Sequence, residues 1–169
     1  MADREVDAEG TSMTNHELVK WCKNNNLPYN EVDIQNLGKA KNRYAFIFTG
    51  NEPDDINNGN DHHWMFLDGK YIFDSYGNPN NYTLPEGFSI LKNHPRQLQN
   101  FDTNVCGQYC CAFYYFTKAN PDLTPEEIGE AYSDEYGLTK NRESNDEKIL
   151  AWYNKTKTGQ KQQADEEEK

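Results

Sequence analysis

The segment "CGQYCCAFYYFTK", Cys106 to Lys118, constrains the fold more than any other part of this chain. It is apolar nearly all round. Strands in globular proteins usually run about 5–6 residues, so its length predicts a helix, although its aromatics and cysteines favour strand locally. A helix with no polar face has to be sunk in a core. The remaining elements must then pack around it.

Three stretches carry helix-start signatures. Thr14-Asn15-His16-Glu17 reads as a capping box leading into Leu18, Val19, Trp21 and Cys22. Thr124-Pro125-Glu126-Glu127 is a second, with Pro at the first helical position and Gly137 as a C-terminal stop. Ser144-Asn145-Asp146-Glu147 reads as a third, ahead of Ile149, Leu150, Trp152 and Tyr153. Strand-like runs cover Tyr44 to Thr49, His63 to Leu67, Lys70 to Tyr76 and, more weakly, Phe88 to Leu91. Helices flanking a run of strands predict an α+β fold. The expected architecture is a mostly antiparallel or mixed sheet flanked by helices, with Cys106 at the N-terminus of the buried central one. A length of 169 residues suits one domain. Only 35% of the residues are hydrophobic, but 11 Tyr, 8 Phe and 3 Trp can supply the missing buried area. The expected domain spans 13–154, between disordered tails at 1–12 and 155–169.

In "HHWMFLDGKYIFDSYG", His62 to Gly77, Asp68-Gly69 is a two-residue hairpin signal. With that turn, Phe66 faces Tyr71, Trp64 faces Phe73, and His63 faces Asp74. Directly opposite side chains share a face, about 5 Å apart at Cβ, so an imidazole and a carboxylate can meet. His62 would point the other way. From the hairpin alone, a cross-strand charge pair worth under about 1 kcal/mol is the simpler reading.

Cys106 lies where a polar loop enters the apolar helix, and helix N-termini stabilise thiolates. An adjacent imidazole would do so further and make a nucleophile. Cys110 and Cys111 read as small core residues. With Cys22 they complete four cysteines that do not suggest a disulfide framework, since three crowd into one short segment.

"HHW" before a strand, Asp74 after the next strand, and "QNFDTNVCGQYCCAF" together resemble the maturation protease of adenoviruses. Relatives of that enzyme occur in virophages and Polinton-type elements and, more distantly, among SUMO-specific proteases. The resemblance spans roughly Asn15 to Lys118 and includes "FIFTGNEP", a strand running into the loop before the histidine. It implies that Cys106 is the nucleophile, His63 the base, Asp74 the carboxylate that orients the imidazole, and Gln99 an oxyanion-hole donor beside the backbone N–H of Cys106. Gln97 fits that spacing less well. Trp64 and Gly107 match the motif as packing and substrate support. The His63 to Asp74 interval is shorter than the family's usual spacing. His16, His94, Asp61 and Asp68 have no motif support and read as helix-turn, loop or turn residues.

The resemblance implies a cysteine endopeptidase that cleaves capsid and other virion precursor proteins beside glycine. It would work as a monomer in the virion and the infected cell. A deconjugating protease for SUMO or ubiquitin-like proteins is the first alternative. A non-catalytic metal module using His62, His63, Cys106 and Cys110 is the second, disfavoured because adjacent strand histidines point apart. No metal or cofactor is expected. Adenoviral relatives are activated by a peptide and by DNA, but no residue here carries either property over. The formal charge of -11 argues against nucleic acid as a specific partner, and no stretch approaches membrane-spanning length.

Overall fold

The computed structural model describes residues 13–49, 63–77, 83–100 and 103–158. Helix α1 (Asn15–Asn24) opens on the expected capping box: Thr14 accepts from the Glu17 amide, and the Glu17 carboxylate accepts from the Thr14 amide at 2.8 Å. Strand β1 (Glu31–Asp33) and a 3₁₀ segment (Ile34–Lys39) lead to β2 (Tyr44–Phe48), β3 (Trp64–Asp68), β4 (Tyr71–Phe73) and β5 (Ser89–Ile90). These five strands form one sheet in chain order, antiparallel in the middle (β2–β3–β4) and parallel at both edges. Helices α2 (Cys106–Ala119), α3 (Pro125–Tyr136) and α4 (Arg142–Thr156) follow. The fold is α+β, with a mixed sheet flanked by helices, as the pattern predicts.

Strand alternation divides the core in two. Phe46, Trp64, Phe66 and Phe73 face the helices, while Ala45, Ile47, Met65, Leu67 and Ile72 pack on Leu37 behind the sheet. Helix α2 is the central element, buried from Cys106 through Tyr114 and again at Phe116 and Thr117. Its Phe113 stacks on Phe73, ring centroids 4.5 Å apart, and Tyr132 of α3 closes edge-on against both rings. Aromatic area does supply this core.

Three expectations shift. The hairpin pairs Phe66 with Phe73, Leu67 with Ile72 and Asp68 with Tyr71, two residues from the expected register. The turn residues are Gly69 and Lys70 rather than Asp68 and Gly69. Gly69, at φ 70°, takes the first central position, where a II′ turn places glycine. Asp68 stays in the strand, accepting the Arg43 guanidinium at 2.6 Å. The third helix begins at Arg142, not after Ser144: Asn141 is the N-cap and accepts from the Ser144 amide at 3.1 Å. That helix also runs past the expected boundary at 154, to Thr156, whose buried hydroxyl accepts the Trp21 indole N–H at 3.3 Å. The tail segments 1–12 and 159–169 lie outside the described residues.

Candidate active site

Strand β2 fixes the position of His63. The Thr49 hydroxyl donates to the His63 carbonyl at 2.9 Å and accepts from its amide at 3.1 Å. On the other side, a tight turn after β4 brings the Gly77 amide back to the Asp74 carbonyl at 2.9 Å, and Asn93 donates to the same oxygen at 2.7 Å. Asp74 is 1% exposed. His63 Nε2 lies 2.7 Å from Asp74 Oδ1, which also accepts the Tyr76 amide at 3.0 Å.

A register slip of two residues preserves face, so the contact survives the shift. Strand β4 ends at Phe73, and the turn that follows carries Tyr76 back beside His63. Consistent with that, the Tyr76 and His63 rings stack with centroids 4.6 Å apart and planes 19° from parallel. The phenol then donates to the Thr103 carbonyl at 3.0 Å, locking the ring over the imidazole.

The cysteine arrives from the helical layer. Cys106 opens α2, whose N-cap, Val105, supplies no side-chain cap of its own. Cys106 is 7% exposed, and its sulfur accepts the Trp64 backbone N–H at 3.3 Å. Trp64 itself is 2% exposed; its indole donates to the Met13 carbonyl at 2.8 Å and packs against Phe46 and Phe48. Gly107 allows this closeness, because a Cβ there would stand 2.9 Å from the Met13 Cβ. Both residues therefore serve packing beside the sulfur.

Three of the four sequence-assigned groups meet. His63 Nε2 is taken by Asp74, while Nδ1 is buried without a hydrogen-bond partner among the described residues. Burial alone would push the His63 pKa down. The Cys106 charge, the Asp74 hydrogen bond, the Cys106 interaction and the Asp74 charge together outweigh it and raise the pKa from 6.5 to about 10. The imidazole thus sits between carboxylate and sulfur, held toward its cationic form. Cys106 raises the imidazole pKa from the side opposite Asp74.

Gln99 behaves differently. It is fully buried; its oxygen accepts the Ser75 hydroxyl at 2.6 Å and its nitrogen donates to the Thr103 carbonyl at 3.1 Å and hydroxyl at 3.3 Å. No described hydrogen bond joins it to Cys106; it organises the loop before the helix. Gln97 donates to the Gln99 carbonyl at 2.9 Å and so supports that loop. Sequence reasoning missed the residue behind it. Asp146 of α4 accepts the Thr103 hydroxyl at 2.9 Å and the Tyr109 phenol at 2.7 Å, and burial raises its pKa against the lowering effect of these bonds. Its neighbour Asn145 donates to the Leu98 carbonyl at 3.0 Å. The sequence signals them only as a polar pair beside Ile149, which the Ser144 capping box reads as a helix start.

Burial pushes Cys22 up to about 12 and holds Cys110 and Cys111 well above an ordinary thiol. His62 and Asp61 lie outside the described residues. Among the described residues, no group of three or more His, Cys, Asp or Glu is placed to hold a metal ion, and no helix is long and apolar enough to cross a membrane.

No protein-family model matches the sequence. No curated protein matches it. Among solved structures, the chain is similar to ChlaDub1 from Chlamydia trachomatis, at 14% identity and a TM-score of 0.43, over 86% of this chain and 77% of that one. A likeness at that level carries no functional argument, so the reading of the site rests on its own geometry.

Proposed function

We propose that the protein is a cysteine peptidase in which Cys106, His63 and Asp74 do the chemistry. The observation that carries this reading is the His63 imidazole, bonded to buried Asp74 through Nε2 and electrostatically coupled to Cys106. The Cys106 thiolate, paired with imidazolium, attacks the substrate carbonyl carbon. The oxyanion that forms is met by the backbone N–H groups at the start of α2. Gln99 adds a donor by exchanging one of its bonds to Thr103. His63 gives its Nδ1 proton to the leaving amine as the C–N bond breaks, leaving a thioester. Water then attacks the thioester, His63 takes its proton, and a carboxylic acid leaves as the thiolate returns.

The family resemblance supports virion precursor proteins, cut beside glycine in the particle or the infected cell, as substrates. Conjugates of ubiquitin-like proteins are the competing class, since an isopeptide is the same amide to this chemistry. Wild-type and Cys106→Ala proteins are incubated side by side with a virion precursor and with a SUMO conjugate. Cleavage of the precursor by wild type alone supports the reading. Cleavage of the conjugate alone replaces the substrate class, and cleavage by the Cys106→Ala protein removes the nucleophile.

A further inference from the structure

The chain is acidic, with 28 Asp and Glu against 17 Lys and Arg. Cations are nevertheless gathered at one place beside the site. A pocket of about 430 Å³ is lined by Arg96, Lys140 and Arg142 together with Tyr76 and Gly77, and no Asp or Glu lines it among the described residues. Its cations come from two separate segments, the loop after β5 and the start of α4, so the folded chain, not a local basic run, assembles it.

Its position connects it to the chemistry. Tyr76, on the pocket wall, is the ring that stacks on His63. Gly77, on the same wall, closes the turn that holds Asp74. Arg96 is fixed along that rim, its Nε donating to the Gly77 carbonyl at 2.7 Å while Asn93 holds its carbonyl at 3.2 Å. Gly77 is required for this approach, at φ 81° and with the Arg96 carbonyl 2.5 Å from where a Cβ would stand. Lys140 and Arg142 are exposed. A cationic concavity on an acidic protein attracts the negative part of a ligand and repels the positive part.

We propose that the Arg96–Lys140–Arg142 pocket is a subsite for an acidic segment of the protein substrate, taking Asp or Glu side chains that flank the bond Cys106 attacks. The inference rests on the peptidase reading. Lys140 and Arg142, both exposed, supply the charges that meet a carboxylate, and Arg96, held along the rim by Gly77, adds its positive charge to the same concavity. A short acidic segment is favoured over nucleic acid because the chain as a whole, at a formal charge of -11, would repel a long phosphate chain that runs beyond the pocket.

The test uses a peptide library with one fixed glycine and Glu, Gln or Lys scanned through the flanking positions. Binding is measured on full-length Cys106→Ala protein, and cleavage on the wild type. The subsite predicts roughly tenfold tighter binding of Glu over Gln at one or two positions, weakening with salt. The double variant Lys140→Glu/Arg142→Glu should invert the preference toward Lys at those positions. Both residues are exposed, Lys140 precedes the N-cap, and acid at 142 in the first turn of α4 suits the helix dipole, so the fold tolerates the change. No Glu preference at any position overturns the subsite while leaving cleavage, and the peptidase reading, intact. Equal competition by inorganic phosphate or a short DNA also overturns it. A Glu preference in binding with no peptide cleaved by wild type overturns the peptidase reading and the substrate role together.

Discussion

Replacing Asp74 with Asn keeps the shape of the site and removes one charge, which isolates the carboxylate's part in holding His63 cationic. The rise of the His63 pKa from 6.5 to about 10, at about 1.36 kcal/mol per pH unit, favours imidazolium by about 5 kcal/mol net of burial. That total is shared between Cys106 and Asp74. An opposite charge at contact distance moves a pKa by about 1–3 units, and the buried carboxylate 2.7 Å away is placed to act at the upper end. In Asp74→Asn, His63 should therefore titrate about 1–3 units lower, with the Cys106 interaction still raising it and burial still opposing. The assay is the pH titration of the His63 ring nitrogens by NMR, with the pH profile of kcat/KM beside it. The basic limb of that profile should move to lower pH by the same amount. If His63 in the variant still titrates near about 10, the carboxylate does not hold the imidazolium and the reasoning fails.

The same shift sets a stability window: a folded pKa above the unfolded one gives stabilisation that is full below 6.5 and lost as pH rises through about 10. Urea unfolding should show wild type losing stability across that interval and Asp74→Asn losing less; equal slopes would count against the pair. Asp146→Ala strands the Tyr109 phenol and Thr103 hydroxyl on weaker partners, which should cost about 1–3 kcal/mol. It should also lower kcat more than it raises KM, because it loosens the loop before Cys106; a change in KM alone would place Asp146 outside the site's support. Gly129→Ala would put a Cβ 2.1 Å from the Lys92 carbonyl, a backbone atom that cannot swing aside, and should cost about 1–3 kcal/mol or more. A thermal melt unchanged by that substitution would refute the close approach of α3 to the 92–94 loop.

Much of this fold is legible in the sequence because its signals are local. The boxes at Thr14 and Thr124 form as written, and Gly137 ends α3 in the left-handed conformation. The all-apolar face of "CGQYCCAFYYFTK" could only be buried. The remaining features depend on partners distant in the chain. Ser144 resembles a cap until Asn145 and Asp146 are seen to be needed in the core by Leu98, Thr103 and Tyr109. Strand β1 is three residues of "EVD", too short and polar to show a period. The His63–Asp74 contact forms despite the shifted register because the slip is even, which keeps both residues on one face. Gln99 was legible as a residue but not in its bonds, which go to Ser75 and Thr103.

The central claim is that Cys106 is a nucleophile activated by His63. Its most direct test is to treat the native protein briefly with iodoacetamide near neutral pH and map the adducts by mass spectrometry, in wild type and in His63→Ala. Fast labelling is expected at Cys106 alone, because burial keeps Cys22, Cys110 and Cys111 protonated and inaccessible. A large loss of that labelling rate is expected in His63→Ala. Labelling of Cys106 no faster than that of the other three, or at the same rate without His63, would contradict the claim.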